Sequence, residues 1–119
     1  MAFVRAHLAL AAVAASLALG QGPALAASAE NGKAAFVKNG CWQCHDFLGQ
    51  GSVATSGGRV IANTPLPFDA FKAYVRDPGG SMPPFHVGIL PDTDLADIYA
   101  YLESLPKPKP AKDIPLLNQ

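Results

Sequence analysis

The chain has 119 residues, nine basic and nine acidic, and carries no net charge. That length argues for a single domain, and the balanced charge excludes the strongly basic face that a nucleic-acid partner requires. Half of the residues are hydrophobic, and much of that fraction is concentrated at the start of the chain.

Arg5 supplies a short positive region, and Leu8 to Leu19 is an almost unbroken apolar run. Gly20-Gln21-Gly22-Pro23 breaks it, and Ala24-Leu25-Ala26 has the small residues of a cleavage site. A membrane span takes about 20 apolar residues, and this run is shorter. Residues 1–26 are therefore expected to be a cleaved signal peptide, with an uncleaved anchor as the alternative. Cleavage after Ala26 or Ala27 fits equally. Export would place the mature chain in a bacterial periplasm with no membrane span. Losing Arg5 leaves that chain with one excess negative charge. A domain so small struggles to bury enough apolar surface unaided.

Ser28 to Lys38 is predicted to be the first helix. Ser28 suits the N-cap, and Glu30 sits in the first turn, where a negative charge favours the helix dipole. Gly32, Ala35 and Phe36 share one face. A glycine inside a helix costs about 1 kcal/mol relative to alanine, which points to a second helix crossing at Gly32. Asn39-Gly40 ends the segment, with Gly40 suited to a left-handed cap.

Cys41-Trp42-Gln43-Cys44-His45 follows directly. It reads C-x-x-C-H, the attachment signature of a c-type haem. Two thiols three positions apart can form thioethers with the two vinyl groups on one edge of a porphyrin, and the adjacent imidazole can serve as the proximal iron ligand. Two rival readings use the same residues. Cys41 and Cys44 are the only cysteines and could form a redox disulfide, which has no need of His45. A zinc site needs four ligands, and Cys41, Cys44, His45 and His86 are the only candidates of those types beyond the leader.

Asp46 to Thr64 has no helical or strand period and is expected to be loop. Arg59 is its only charged residue after Asp46 and is a candidate contact for a haem propionate. Pro65 to Arg76 is predicted to be a second helix, with Phe68, Phe71, Tyr74 and Val75 as its apolar stripe. Asp77-Pro78-Gly79-Gly80 stops it. The next loop carries Met82-Pro83-Pro84. Met82 is the only methionine after the leader, its thioether suits haem iron opposite histidine, and the prolines would stiffen its loop. His86 is the alternative distal ligand. Pro91 to Leu105 is the third helix, with Asp92 as the expected N-cap and Leu95, Ile98, Tyr101, Leu102 and Leu105 on one face. Residues 106–119 form a Pro/Lys-rich tail, extended at its start. Its apolar end either folds back or docks on a partner.

The order of these segments resembles a class I cytochrome c, in particular the small exported bacterial monohaem cytochromes. The resemblance covers essentially the whole mature chain, with the cytochrome domain at residues 27–105, and rests most firmly on Cys41, Cys44, His45, Met82-Pro83-Pro84 and Asp97-Ile98-Tyr99-Ala100-Tyr101-Leu102. It implies an all-α fold of three main helices and long loops wrapped around one covalently bound haem c. In that family the first and last helices cross nearly at right angles, which would set Gly32 and Phe36 against Ile98 and Tyr101. Two departures stand out. Relatives often use a proline carbonyl just after the haem motif to orient the proximal imidazole, and here no proline lies between His45 and Pro65. The propionate-binding tryptophan is also missing, since the only Trp is Trp42.

The resemblance implies a one-electron carrier rather than an enzyme, with His45 and Met82 as axial ligands and a periplasmic dehydrogenase or terminal oxidase as redox partner. Lys33, Lys38, Lys72 and Arg76 are candidate orienting charges. Two alternatives stay open: a cytochrome c subunit of a periplasmic dehydrogenase complex, docked by its tail, or a haem sensor or peroxidase if Met82 is labile.

Overall fold

A computed structural model describes residues 26–52, 57–107 and 109–117. The expected leader lies outside them save for Ala26. The described residues form helices and no strand: α1 (Ala29–Lys38), α2 (Trp42–His45), α3 (Phe68–Arg76) and α4 (Asp92–Ser104), with 3-10 turns at Ala111–Asp113 and Pro115–Leu117. One isolated antiparallel bridge pairs Ser52 with Gly58. None of the described helices is long and apolar enough to cross a membrane.

α1 begins where its cap dictates. Ser28 is extended, and its hydroxyl accepts from the Asn31 amide at 3.2 Å, satisfying one of the free donors of the first turn. Asn39 closes the helix, and Gly40, at φ 73°, turns the chain into α2.

α1 and α4 cross at Gly32. A Cβ placed there would stand 1.8 Å from the Asp97 carbonyl oxygen and 2.9 Å from the Ile98 amide nitrogen. Backbone touches backbone, and only glycine permits it. Beside the crossing, the rings of Phe36 and Tyr101 meet at 5.6 Å and 58°, and the Ser28 amide donates to the Asp97 carboxylate at 2.6 Å. Phe36, Leu90, Leu95 and Leu102 are fully buried around this contact. Each such side chain contributes roughly 1.5–3 kcal/mol relative to exposure. Ala35, Phe71, Val75, Ile98 and Tyr101 complete the core.

α3 starts at Phe68, three residues later than the sequence suggests, because Pro67 is held extended at ψ 154° and serves as the N-cap position. A residue ahead of proline is also pushed out of helical geometry, which keeps Leu66 outside. Phe71 and Val75 are buried, whereas Tyr74 points outward and is 48% exposed. The N-cap of α4 lies one residue earlier than expected. Pro91 is its cap and Asp92 its first helical residue, so the Asp92 carboxylate is free to bind side chains of α3. The end of α4 is closed by Asn63, whose amide donates to the carbonyls of Leu105 (2.6 Å) and Leu102 (3.2 Å). In the tail, Leu116 and Leu117 are exposed rather than folded onto the domain.

Candidate functional site

α2 is one turn of helix, and it holds the C-x-x-C-H motif. Cys41 occupies its N-cap with helical dihedrals, φ −56° and ψ −36°, and the His45 amide donates to the Cys41 carbonyl at 3.0 Å. The thiols of Cys41 and Cys44 therefore leave one face of a single turn, with His45 immediately after them. Both thiols are free and half-buried. Asp46, at φ 61°, then reverses the chain.

A glycine-rich loop closes over this turn. The Gly51 amide donates to the His45 carbonyl at 2.9 Å. Gly58 lies so close to Cys44 that a Cβ would stand 1.9 Å from the Cys44 carbonyl oxygen. This approach brings in the Arg59 carbonyl, and the His45 Nδ1–H donates to it at 2.8 Å. A carbonyl can only accept, so Nδ1 carries a proton in this contact, and Nε2 is the ring nitrogen left for a further partner. The Arg59 main chain thus supplies a carbonyl contact of the kind that the resemblance assigns to a proline. Arg59 is itself exposed.

Beside the motif, Trp42 stacks on Phe47 at 4.6 Å and 10°. The Tyr101 hydroxyl donates to the Phe47 carbonyl at 2.7 Å, tying α4 to the segment after the motif. Burial pushes the Tyr101 hydroxyl above its ordinary range.

Met82 is half-buried against the same core cluster that Cys41 and Trp42 border. Its loop is pinned through Phe85. The Phe85 amide donates to the Val75 carbonyl at 3.0 Å, and its carbonyl accepts from the Arg76 guanidinium. Arg76 also pairs with Asp92 at 2.6 Å, and Lys72 pairs with the other Asp92 oxygen. Hydrogen bonds from Lys72 first, and then Arg76, hold the Asp92 carboxyl below its ordinary range. Lys72 and Arg76, read in sequence as charges to orient a partner, are thus engaged within the domain. His86 is exposed, and its carbonyl caps the turn that ends at Leu90.

The rival readings fare poorly on these contacts. Burial pushes the Cys41 thiol up to about 11, opposite to the lowered value that makes a redox cysteine reactive. Among the described residues no group of three His, Cys, Asp or Glu stands together to hold a metal ion, so a zinc site finds no ligand set. For a haem c the donor set fits: two thiols on one turn, an imidazole with Nδ1 tied back, and a thioether on an apolar wall.

The family description of cytochrome c oxidase, cbb3-type, subunit III, matches residues 27–102. The chain belongs to this family. It is a c-type cytochrome, a haem-binding electron-transfer domain. No curated protein and no solved structure matches it.

In this cytochrome, sequence reasoning named Cys41, Cys44, His45, Met82 and Arg59. The structure unites Cys41, Cys44, His45 and the Arg59 carbonyl in one turn-and-loop unit and puts Met82 in a second, clamped loop. Reasoning from sequence missed Gly58, Asn63 and the role of Arg76. The Gly57-Gly58 doublet was a signal of close backbone approach; Asn63 and Arg76 offered none, because their partners are distant in sequence.

Proposed function

We propose that the cytochrome is a periplasmic one-electron carrier, exported by way of residues 1–26, with one haem c on Cys41 and Cys44 and axial ligands His45 and Met82. The observation that carries this reading is the His45 Nδ1–H bond to the Arg59 carbonyl, which leaves Nε2 aimed away as the free donor. When bound, the haem supplies a one-electron couple between Fe(III) and Fe(II). The chain's own residues set its conditions. The Arg59 carbonyl makes His45 a stronger donor. The Met82 thioether favours the reduced state. The apolar core beside Cys41 and Met82 keeps water out and disfavours the extra positive charge of the oxidised state. His45 and Met82 would together hold the iron and leave no place for a substrate, which supports a carrier over an enzyme. The Arg59 guanidinium, on an exposed residue, is the candidate for a propionate.

The test is the ferric spectrum of holo wild type against Met82→Ala. Wild type should show a thioether–iron charge-transfer band, and the variant should lose it and fall in reduction potential. A high-spin wild-type spectrum would instead identify a sensor or peroxidase.

A second reading has the family description behind it: a fixed subunit of a terminal oxidase or other redox complex, docked through the tail. The exposed Leu116 and Leu117 favour it. Native mass of protein purified from its own host, with and without residues 106–119, separates the two. A monomer in both cases removes the subunit reading.

A further inference from the structure

Arg76 stands where three segments meet. It lies in the last turn of α3, donates to the Phe85 carbonyl in the Met82 loop, and pairs with Asp92 at the first residue of α4. Its side chain is only 18% exposed, and its buried Nε–H has no partner. Burying a guanidinium this far is costly unless its charge is matched, and Asp92 matches it. Phe85 is held from both sides, its N–H by Val75 and its C=O by Arg76. Between Phe85 and Met82 lie Pro83 and Pro84. Proline fixes φ near −65°, so a clamp on Phe85 is transmitted to Met82 through two stiff residues.

We infer that Arg76, braced by Asp92, is the positioning residue that holds the Met82 thioether at the iron, so that this salt bridge sets how readily the sulfur is displaced. The inference rests on the reading of Met82 as a ligand. Lys72 supports the brace from the far side of the carboxylate. Removing Arg76 frees the Phe85 carbonyl and leaves the loop held at one point. The loop then swings, and the sulfur competes less well with a ligand from solution.

The experiment titrates ferric holo protein with imidazole and follows loss of the thioether band. Wild type, Arg76→Gln, Arg76→Lys, Asp92→Asn, Asn63→Ala and Met82→Ala are compared. R76Q should reach half-displacement at about tenfold lower imidazole, the scale of one hydrogen bond at a charged group. D92N should shift in the same direction by less, and R76K should fall between R76Q and wild type. N63A weakens α4 at its opposite end, about 20 Å away along a 13-residue helix. It should lower resistance to guanidinium yet titrate as wild type. Should R76Q not fold, R76K and D92N carry the same comparison. The clamp is refuted if R76Q, or both of those substitutes, titrate as wild type, or if N63A shifts as far as they do. If wild type has no thioether band, or M82A keeps it, the ligand reading itself fails and the clamp goes with it.

Discussion

Gly32→Ala tests the crossing of α1 and α4 by the sign of its effect. On helix propensity alone the substitution stabilises by about 1 kcal/mol. The structure demands the reverse. The new Cβ would sit 1.8 Å from the Asp97 carbonyl oxygen and 2.3 Å from its carbon. A carbon settles about 3.3 Å from such an oxygen, so α4 must retreat by roughly 1.5 Å. Both obstacles are backbone, and no rotamer change relieves them. Overpacking of this kind costs about 3 kcal/mol at the upper end of its range. The retreat also loosens the Phe36–Tyr101 ring contact and the Ser28–Asp97 hydrogen bond, each worth about 1 kcal/mol. Set against the propensity gain, the net loss is about 4 kcal/mol, much of a small domain's stability. Guanidinium unfolding of holo protein, followed by far-UV circular dichroism, should give a lower midpoint at unchanged slope. An exposed control, Ala34→Gly, should cost only about 1 kcal/mol. A G32A protein as stable as wild type, or more so, would refute the backbone contact.

Other perturbations follow from the same geometry. Gly58→Ala drives a Cβ into the Cys44 carbonyl and should lift the Arg59 carbonyl off His45. The histidine then donates more weakly, and potentiometry should record a higher reduction potential than wild type; an unchanged value would count against the carbonyl's role. Asn63→Ala removes the amide that closes α4 and should cost about 1–2 kcal/mol, read as a fall in the thermal midpoint. Asp92 has a lowered folded pKa, so its contribution is complete above the ordinary carboxylate value and is lost as pH falls through the folded one. Guanidinium midpoints measured from neutral to acid pH should therefore decline less steeply in Asp92→Asn than in wild type, and superimposable acid limbs would disprove the coupling.

Legibility in the sequence followed the range of the forces involved. α1 and the apolar face of α4 could be read because capping and helical period are local: Ser28, Phe36, Leu95, Ile98, Tyr101 and Leu102 do what their spacing says. Gly32 could be read as a crossing because a helix otherwise avoids it. The start of α3 could not, since Pro67 supports either a first turn or an extended cap, and packing of Phe68 against Tyr99 chooses the latter. Asp92 suited an N-cap equally well on local grounds, and the decision came from two cations on another helix. The motif announced the thiols and the imidazole, but not the acceptor that aims the imidazole. That acceptor is a main-chain carbonyl, and any residue type at position 59 would supply it. Its position is encoded instead by Gly58, through the side chain it lacks.

The Ser28–Asp97 bond beside the helix crossing spans 69 residues of sequence, whereas the loop over the C-x-x-C-H turn returns within 14. A chain synthesised N-terminus first can therefore complete the local loop before its clasp arrives. Short closures are fast and long ones slow. Until α4 emerges, Phe36 lacks the ring of Tyr101 and Gly32 lacks the backbone that crosses it. For the proposed haem c, that order would leave Cys41 and Cys44 within reach of the group before the clasp between Ser28 and Asp97 forms.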